Sequence, residues 1–512
     1  MTGGPVPTAT LLEALADRTV LGPIPATVGG VAYDSRTVKP GDLFVAVPGL
    51  RQDGRCFVED ALARGAAAVV LEGPDLFEGG ATPRVLVPSS REALARLADA
   101  YFGHPSGKLT VIGITGTNGK TTTSYLVDAL LTARGQRTGL IGTVQYRVGA
   151  EVIPAGQTTP EAVELQSLLR RMVNAGVTAV AMEVSSHALA LSRVDGIDFD
   201  IAVFTNLTQD HLDFHGTMDA YREAKRRLFA LLAAGLKSGR TAVVNADDPS
   251  GVSMVAGLPL PTITYGIRGR ADVRPARWTS GAEGIRMSVR TPAGHLDIAS
   301  PLVGEHNVMN LLAAAGVGVA LRIAPDAIGR ALGSVGSVPG RFERVEAGQP
   351  FLVIVDYAHT PDALERTLET AQKLRGPGGR LAVVFGCGGD RDRGKRPLMG
   401  AIASRLADRV WITSDNPRSE RPEAIIADIV AGIPAKSSAE SPAKSPGDPA
   451  LDRHETIPDR KVAIHQALDW ARAGDVVVIA GKGHETYQVV GSEVLPFDDR
   501  THARAALAGR AT

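Results

Sequence analysis

The stretch Gly113-Ile-Thr-Gly-Thr-Asn-Gly-Lys-Thr-Thr-Thr123 decides the fold of this chain, because it links two apolar patterns of different period. Before it, residues 109–114 form a short apolar run that predicts a buried strand. After it, apolar residues recur at i, i+3, i+4 and i+7, at Leu126, Ala129, Leu130 and Ala133. This spacing predicts a helix, so the stretch is a glycine-rich loop between a strand and a helix.

The loop itself has the composition of a phosphate-binding loop. Gly116 and Gly119 let the backbone turn tightly and direct successive N–H groups toward phosphate oxygens. Lys120 can reach the β- and γ-phosphates, and the hydroxyl of Thr121 or Thr122 can contact a bound Mg²⁺. The standard pattern has a further glycine five residues before Gly119, where this chain has isoleucine. We predict a nucleotide triphosphate site formed by Gly116, Thr117, Asn118, Gly119, Lys120, Thr121 and Thr122.

Composition narrows the class of protein. The 512 residues are enough for two to four domains, and the 55 basic and 55 acidic residues leave no net charge that would favour nucleic acid. Two cysteines, Cys56 and Cys387, are too few for a disulfide framework. The N-terminus lacks the basic and apolar regions of a signal peptide, and no apolar run could span a bilayer. We expect a cytoplasmic protein that works as a monomer.

The chain divides into three segments. Residues 1–107 mix short strands with alanine-rich helices, and 104–108 predict a linker. Residues 108–338 carry the phosphate loop and alternate strands with helices, which predicts a doubly wound, mostly parallel α/β sheet. Residues 339–512 restart the pattern, and residues 434–451 within them are a Pro/Ser/Ala/Lys segment that predicts a disordered insertion.

Four apolar runs in the third segment each end in polar or glycine-rich residues. The runs are 351–355, 381–385, 410–413 and 476–480. Open α/β sheets bind ligands beyond the carboxyl ends of their strands, so these ends predict a second binding site. Alternatively they are only turns, which would explain the glycines but not Arg391, Arg418, His484 and Glu485 together.

A magnesium site is predicted beside the phosphate loop. Glu183 ends a buried strand, and His211 follows the next one among Asn206, Asp210 and Asp213. Mg²⁺ bound to a nucleotide needs a few hard protein ligands besides phosphate oxygens and water. A satisfied structural histidine is the usual alternative for a lone histidine, but this acidic setting at a strand end favours a ligand.

The Thr115–Thr121 loop, the blocks around Glu183 and His211, and later blocks resemble the Mur ligase family, the ATP-dependent amide-forming enzymes of peptidoglycan precursor synthesis. The resemblance covers nearly the whole chain. It implies a small N-terminal α/β domain that binds UDP, a central P-loop domain and a C-terminal Rossmann-like α/β domain. It also implies a reaction in which a substrate carboxylate attacks the ATP γ-phosphate, and an amine then displaces phosphate from the acyl phosphate.

The resemblance also implies the metal and nucleotide ligands. Glu183 and His211 match Mg²⁺ ligands, and Lys225 matches a lysine that CO₂ converts to a metal-binding carbamate. From the sequence alone Lys225 would be an exposed helix residue, and carbamylation requires a neutral amine with a lowered pKa. Further matches place Asn307 near adenine, Arg341 near phosphates and Asp356 near ribose, so that ATP would lie between domains two and three.

Two other sets of residues match substrate contacts. Those for the UDP-MurNAc-dipeptide are Ser35, Thr158, Thr159, Ser185 and Arg193, with Leu191 standing where some relatives have glutamine. Those for the added amino acid are Arg391, Asp415, Asn416, Pro417, Arg418, Gly481 and Glu485. The Asp-Asn-Pro-Arg block is typical of family members that add diaminopimelate, whose distal carboxylate an arginine can bind through two hydrogen bonds.

Three alternatives differ in the residues they need. A lysine-adding member is disfavoured by Arg418, and a folylpolyglutamate synthetase should lack both Asp34-Ser35-Arg36 and the Asp-Asn-Pro-Arg block. A regulatory ATP-binding protein without turnover would not need Lys120, Glu183, His211 and Lys225 together. The sequence leaves meso- and LL-diaminopimelate open, because the choice depends on the shape of the pocket.

Overall fold

The computed structural model describes residues 4–49, 52–74, 82–434 and 454–510, which form three α/β units in chain order. All but the first residue of the insertion predicted at 434–451 lies outside the described residues. Among the helices that are described, none combines the length and the apolar content needed to cross a membrane.

The first unit is a five-stranded sheet with parallel pairing except at one edge. In sheet order its strands are Thr19–Leu21, Arg84–Val87, Ala68–Glu72, Leu43–Val45 and Val31–Ala32. Its helices are Thr8–Glu13, Val58–Ala63 and Ser90–Tyr101, and a two-stranded pair joins Val6–Pro7 to Thr27–Val28. The segment expected to be a linker contains a 3₁₀ helix, Pro105–Lys108, whose Ser106 hydroxyl accepts a hydrogen bond from the Asp198 N–H.

The second unit is an eight-stranded sheet. Its first two strands in sheet order form an antiparallel hairpin at one edge, and the other six strands are parallel to one another. In sheet order the strands are Glu151–Pro154, Gln145–Val148, Thr138–Ile141, Ala179–Glu183, Thr110–Thr115, Ile201–Phe204, Thr241–Asn245 and Thr262–Tyr265. A three-stranded antiparallel sheet follows, with strands Arg274–Gly281, Gly284–Thr291 and Gly294–Ser300. The helices are Lys120–Ala133, Ala162–Asn174, Ser186–Ala190, Leu212–His215, Met218–Ala234, Gly251–Val255, Glu305–Ala320 and Pro325–Gly333.

The strand and helix expected around the glycine-rich loop are Thr110–Thr115 and Lys120–Ala133. The predicted apolar face is only partly right, because Ala133 is exposed and Ala129 is half-buried. Leu126, Val127, Leu130 and Leu131 are buried instead. The helix packs against the sheet and also against helix Glu305–Ala320, so the buried surface is wider than a single stripe.

The third unit is a six-stranded sheet, parallel except for one short edge strand. In sheet order the strands are Glu343–Arg344, Leu352–Asp356, Val476–Ala480, Leu381–Phe385, Arg409–Thr413 and His454–Ile457. A hairpin of Tyr487–Val490 and Glu493–Pro496 stands apart from this sheet. The helices are Pro361–Lys373, Lys395–Leu406, Pro422–Val430, Arg460–Trp470 and Asp499–Arg510. The four apolar runs are therefore neighbouring strands that end at one edge, as the pattern predicted.

Gly340 lies where the second unit passes into the third. Its φ is +65°, and a Cβ there would stand 2.1 Å from the backbone nitrogen of His484. Its carbonyl accepts a hydrogen bond from the Tyr357 N–H at 2.9 Å. The junction is thus packed directly against the loop that follows strand Val476–Ala480.

A buried ion pair joins the last two helices. Arg460 donates to Asp499 from Nε at 2.8 Å and from Nη2 at 2.7 Å, and both side chains are fully buried. Nη2 of Arg460 also donates to the carbonyl of Ala480 at the end of a central strand. The pair therefore anchors the C-terminal helix to the sheet.

We predict that Asp499→Ala lowers the free energy of unfolding by about 3–5 kcal/mol, because it leaves a buried guanidinium without its partner. Urea denaturation followed by tryptophan fluorescence measures this, since Trp411 and Trp470 both lie in the third unit. The control is Asp219→Ala, whose exposed ion pair with Arg222 should contribute at most about 1 kcal/mol. Equal losses in the two variants would contradict the prediction.

Candidate active site

The glycine-rich loop has no space for side chains at its two turns. Gly116 has a φ of +147°, and a Cβ on it would lie 1.8 Å from Oγ1 of Thr205. Gly119 has a φ of +85°, and its Cβ would lie 2.4 Å from Oδ1 of Asn310. Neighbouring strands and helices thus hold the loop in the conformation that presents backbone N–H groups to an anion.

The side chain of Lys120 folds back onto the backbone of the glycine-rich loop. Its Nζ donates to the carbonyls of Gly116 at 2.9 Å and Thr117 at 2.8 Å. Burial lowers the pKa of Lys120 below its ordinary value, and the charge of Glu183 only partly opposes this. A phosphate arriving at the loop would provide a stronger partner for this ammonium than the two carbonyls do.

Glu183 is buried at the end of its strand, as the sequence predicted. Its carboxylate accepts hydrogen bonds from Oγ1 of Thr121 at 3.0 Å, from the Thr143 N–H at 2.8 Å and from Oγ1 of Thr143 at 3.1 Å. The carboxylate therefore lies against the first turn of the P-loop helix, where a metal on the phosphates would be reached.

A cavity of about 530 Å³ lies between the second and third units. The predicted residues that line it are Thr117, Asn118, Gly119, Lys120, Thr121, Thr122, Thr158, Glu183, Ser185, His211, Asn307, Arg341 and Asp356. Residues predicted for the nucleotide, the metal and the muramoyl peptide thus border one space. Of the residues predicted for the same sites, Gly116, Thr159, Arg193 and Lys225 are not part of this lining.

Arg341 reaches across the boundary between the two units. Its Nη2 donates to Oγ1 of Thr121 at 3.0 Å, and its guanidinium carbon stands 4.4 Å from the centre of the Tyr357 ring. A second contact across the boundary joins Nδ2 of Asn118 to Oδ2 of Asp362 at 2.8 Å. The two units are therefore closed on each other around the P-loop.

Asn307 and Asp356 make local hydrogen bonds within the cavity wall. Asn307 donates from Nδ2 to the carbonyl of Val303 at 2.8 Å, and its Oδ1 accepts from Asn310 at 3.0 Å. Asp356 accepts from the N–H groups of Phe342 at 2.6 Å and Ala358 at 3.0 Å. Both side chains are held in place by the backbone.

His211 is the N-terminal flanking residue of helix Leu212–His215, with a φ of +53°. Its Nε2 lies 3.3 Å from Oδ2 of Asp210. Burial lowers the pKa of His211 below its ordinary value although the nearby Asp210 charge opposes this, which favours the neutral ring that a metal needs.

The donor set around Glu183 suits a metal that is also bound by phosphate. Within the described ranges, no group of three or more His, Cys, Asp or Glu side chains could hold a metal ion. Glu183, His211 and the Thr121 hydroxyl supply hard or borderline ligands but not a complete shell. This is the pattern of a site for Mg²⁺ carried by a nucleotide, so the residues present fit that ion.

Lys225 corrects the interpretation drawn from the sequence alone, in which it was an exposed helix lysine. Only 1% of it is exposed, on the inner face of helix Met218–Ala234. Its Nζ stands 4.2 Å from the centre of the Tyr221 ring, and the Tyr221 hydroxyl lies 3.2 Å from Oγ1 of Thr117 in the P-loop. Burial and then the charge of Lys120 lower the pKa of Lys225 well below its ordinary value, so the amine is poised to be neutral.

The residues predicted to bind the muramoyl peptide lie at one side of Glu183. Oγ1 of Thr159 donates to the carbonyl of Glu183 at 2.9 Å, and Oγ1 of Thr158 lies 3.0 Å from Oγ1 of Thr143. Ser185 accepts from the Ala188 N–H at the start of a short helix, and Arg193 pairs with Glu161 at 2.6 Å. The structure brings these four residues together.

Ser35 is separate from that group. It begins the 3₁₀ helix Ser35–Thr37 of the first unit and is buried, beside Asp34, which accepts a hydrogen bond from the Arg36 N–H. The first and second units meet through a hydrogen bond between the Tyr33 hydroxyl and Glu164 at 3.0 Å. The same resemblance also implies a uridine contact at Leu50-Arg-Gln52, of which Leu50 and Arg51 lie outside the described residues.

The Asp-Asn-Pro-Arg block forms a second polar group beyond Tyr357. Arg418 has a φ of +53°, donates from Nη1 to the carbonyl of Gly389 at 2.8 Å, and pairs through its backbone with Val489 and Gly491 of the hairpin. Arg391 lies close to Arg418, and Gly388 lies next to both side chains. A Cβ added to Gly388 would stand 3.0 Å from Nη1 of Arg418 and 3.7 Å from Cγ of Arg391.

Glu485 and Gly481 complete this group. Nδ2 of Asn416 donates to Oε2 of Glu485 at 2.9 Å, and a Cβ on Gly481 would lie 3.5 Å from Oδ2 of Asp415. Burial, followed by the charge of Asp415, raises the pKa of Glu485. All the residues predicted for the amino acid are therefore near one another, at the carboxyl ends of three neighbouring strands.

Sequence reasoning missed two residues that the structure places in this region. Lys482 is fully buried between Asp415 and Glu485, and Tyr357 lies between Arg341 and Glu485. The available signals were a lysine between two glycines directly after an apolar strand, and a tyrosine directly after another. In both motifs a functional role was assigned to neighbouring residues instead: Gly481 and Glu485 beside Lys482, and Asp356 beside Tyr357.

Comparisons with known proteins cover nearly the whole chain. Residues 27–102 match the Mur ligase family, catalytic domain; residues 114–318 match the Mur ligase middle domain; and residues 340–483 match the Mur ligase, glutamate ligase domain. A UDP-N-acetylmuramoyl-L-alanyl-D-glutamate–2,6-diaminopimelate ligase of Geobacillus kaustophilus is 49% identical over 479 residues, which are 93% of this chain and 94% of that protein.

A protein of the same description from Solibacter usitatus is 47% identical over 485 residues, which are 94% of each chain. A solved structure of a ligase so described superposes with a TM-score of 0.66 at 36% identity, and it covers 95% of this chain and 96% of its own. Sequence and fold therefore agree on one kind of relative.

We predict that Gly116→Ala weakens the binding of ADP about tenfold or more, since even a methyl group would overlap Thr205 and displace the loop. Isothermal titration calorimetry measures the change. The control is Gly107→Ala in the 3₁₀ helix just before strand Thr110–Thr115, where a Cβ meets nothing within 4 Å. Unchanged ADP binding by the Gly116 variant would remove the loop from the nucleotide site.

Proposed function

This chain belongs to the Mur ligase family, and on that premise we propose that it joins diaminopimelate to UDP-N-acetylmuramoyl-L-alanyl-D-glutamate at the expense of ATP. The observation that carries the choice of amino acid is the Asp415-Asn-Pro-Arg418 block, which the fold brings beside Gly481 and Glu485. The relatives at 47–49% identity bear the same description.

The first half of the reaction is phosphoryl transfer to the D-glutamate side-chain carboxylate, giving an acyl phosphate and ADP. Two anions must approach each other, so the site has to neutralise charge before it can align them. Lys120 from the second unit and Arg341 from the third unit both line the cavity and supply positive charge. Thr158, Thr159, Ser185 and Arg193 would position the muramoyl peptide on the Glu183 side.

Thr121, Glu183 and His211 would hold Mg²⁺, which when bound offsets the charge of the phosphates. We further propose that Lys225 carries a carbamate derived from CO₂. Its burial, its low pKa and its place beside the P-loop supply the neutral amine that carbamylation needs. The carbamate would turn this buried amine into a carboxylate that could bind a metal beside the P-loop.

In the second half, the amine of diaminopimelate attacks the acyl phosphate through a tetrahedral intermediate and releases phosphate. Glu485 would bind an ammonium group of the amino acid, and Arg418 with Arg391 its distal carboxylate. We also propose that the protein works as a monomer.

An ADP-release assay tests the proposal. Wild-type protein is given ATP, Mg²⁺ and the UDP-linked dipeptide, and then lysine, meso-diaminopimelate or LL-diaminopimelate. ADP should form with one isomer of diaminopimelate and far more slowly with lysine. Faster turnover with lysine would favour a lysine-adding enzyme, and no dependence on the dipeptide would contradict the proposed reaction.

We predict that Lys225→Arg nearly abolishes turnover although it keeps a positive charge, because a guanidinium does not form a carbamate. Steady-state ADP release measures the loss. Lys225→Ala should be partly rescued by short carboxylic acids that replace the missing oxygens. The control is Lys108→Arg, an exposed lysine of the same segment, which should be fully active. Near-normal activity of Lys225→Arg would exclude the carbamate.

We predict that Arg418→Ala lowers kcat/KM for diaminopimelate about 30-fold or more, since losing one partner of a charge-assisted pair costs about 2–5 kcal/mol. The slow reaction with lysine should change far less, because lysine has no carboxylate at that end. The control is Arg421→Ala, three residues along and 84% exposed. An equal proportional loss for both amino acids would mean that Arg418 has only a structural role.

A further inference from the structure

The side chain of Lys482 is fully buried at the centre of the amino-acid site. Its Nζ donates to the carbonyl of Tyr487 at 2.7 Å and to Oδ1 of Asn416 at 3.0 Å. The same nitrogen lies 3.2 Å from Oδ1 of Asp415 and 3.5 Å from Oε2 of Glu485. One ammonium is therefore shared by two carboxylates, and its side chain is not exposed to solvent.

Asp415 depends on this ammonium. It is 8% exposed, and its Oδ1 accepts no hydrogen bond from the described part of the chain. The nearby guanidinium of Arg460 is already bound through two hydrogen bonds to Asp499. A buried carboxylate oxygen without a donor is costly, and the ammonium of Lys482 at 3.2 Å is the charge that compensates it.

Glu485 shares the ammonium less closely. Its Oε2 receives the hydrogen bond from Asn416 at 2.9 Å, and its Oε1 faces the hydroxyl of Tyr357 at 3.4 Å. The longer distance to Lys482 leaves the negative charge of Glu485 less compensated than that of Asp415. Two carboxylates and one ammonium sum to a single negative charge, which matches a single ammonium on an incoming amino acid.

We propose that Lys482 is a positioning residue that neutralises Asp415, so that Glu485 alone presents a negative charge to the ammonium of the amino-acid substrate. The inference rests on the proposed function for the identity of that substrate. Lys482 acts through Asp415, Asn416 and Glu485, and its own charge sets how many ammonium groups the site accepts.

A double-mutant cycle tests this. The variants are Lys482→Met, which removes the ammonium at similar length, Asp415→Asn, which removes its partner charge, and the combination of the two. We expect Lys482→Met to raise KM for diaminopimelate about tenfold or more, with KM for ATP unchanged, because repulsion between Asp415 and Glu485 would then move Glu485 away from its place beside the substrate ammonium. Lys461→Met, an exposed lysine in the same unit, is the control.

The decisive comparison is between Asp415→Asn and the double variant. If Lys482 neutralises Asp415, adding Lys482→Met to Asp415→Asn should cost little or restore affinity, since the charge it compensates is gone. If Lys482 only supports the loop, the double variant should be worse than Asp415→Asn by the full factor seen in the wild-type background, and the proposal is wrong. If Lys482→Met alone does not fold, the double variant is compared with Asp415→Asn alone: equal or tighter use of diaminopimelate supports the proposal, and a tenfold or larger rise in KM contradicts it.

The proposed function is judged separately from the same measurements. Wild-type protein that prefers lysine would overturn the choice of diaminopimelate, and the cycle would then be run with lysine as substrate. Wild-type protein that uses diaminopimelate, with a double variant that loses the full factor, would overturn only the role of Lys482.

Discussion

The hydrogen bond from Arg341 to Thr121 is the contact on which the proposed active site depends, because it joins the third unit to the first turn of the P-loop helix. Thr121 in turn donates to Glu183, and Arg341 lies against the ring of Tyr357. The Tyr357 hydroxyl faces Glu485. A continuous set of contacts therefore runs from the phosphate loop to the amino-acid group, and both halves of the reaction share one framework.

Much of the fold follows from local patterns. The strand before the loop, the helix after it and the four neighbouring strands of the third unit were predicted because each is a short apolar run with polar residues at its end. The order of strands in each sheet was not predictable, since it depends on contacts between distant segments. The exposed Ala133 shows the same limit, because the partner helix Glu305–Ala320 sets which face is buried.

The candidate site was predictable where chemistry and chain position coincide, as for Lys120 in its loop and Glu183 at its strand end. It was not predictable where a charged side chain is buried by tertiary packing. A lysine side chain is usually exposed, but Lys225 and Lys482 are both buried. The segments packed around them include ones distant in sequence, the P-loop for Lys225 and the Asp-Asn-Pro-Arg block for Lys482. Only the resemblance indicated Lys225, and for Lys482 the resemblance offered no role.

Gly340 is a position at which no other residue fits without moving the backbone around it. The backbone of His484 leaves no space for a side chain there, whereas Gly336, four residues earlier, has open space around it. Position 336 is thus free to vary, and position 340 is fixed by the loop that carries Glu485. A side chain at position 340 would therefore displace the domain junction and the loop that carries Glu485 together.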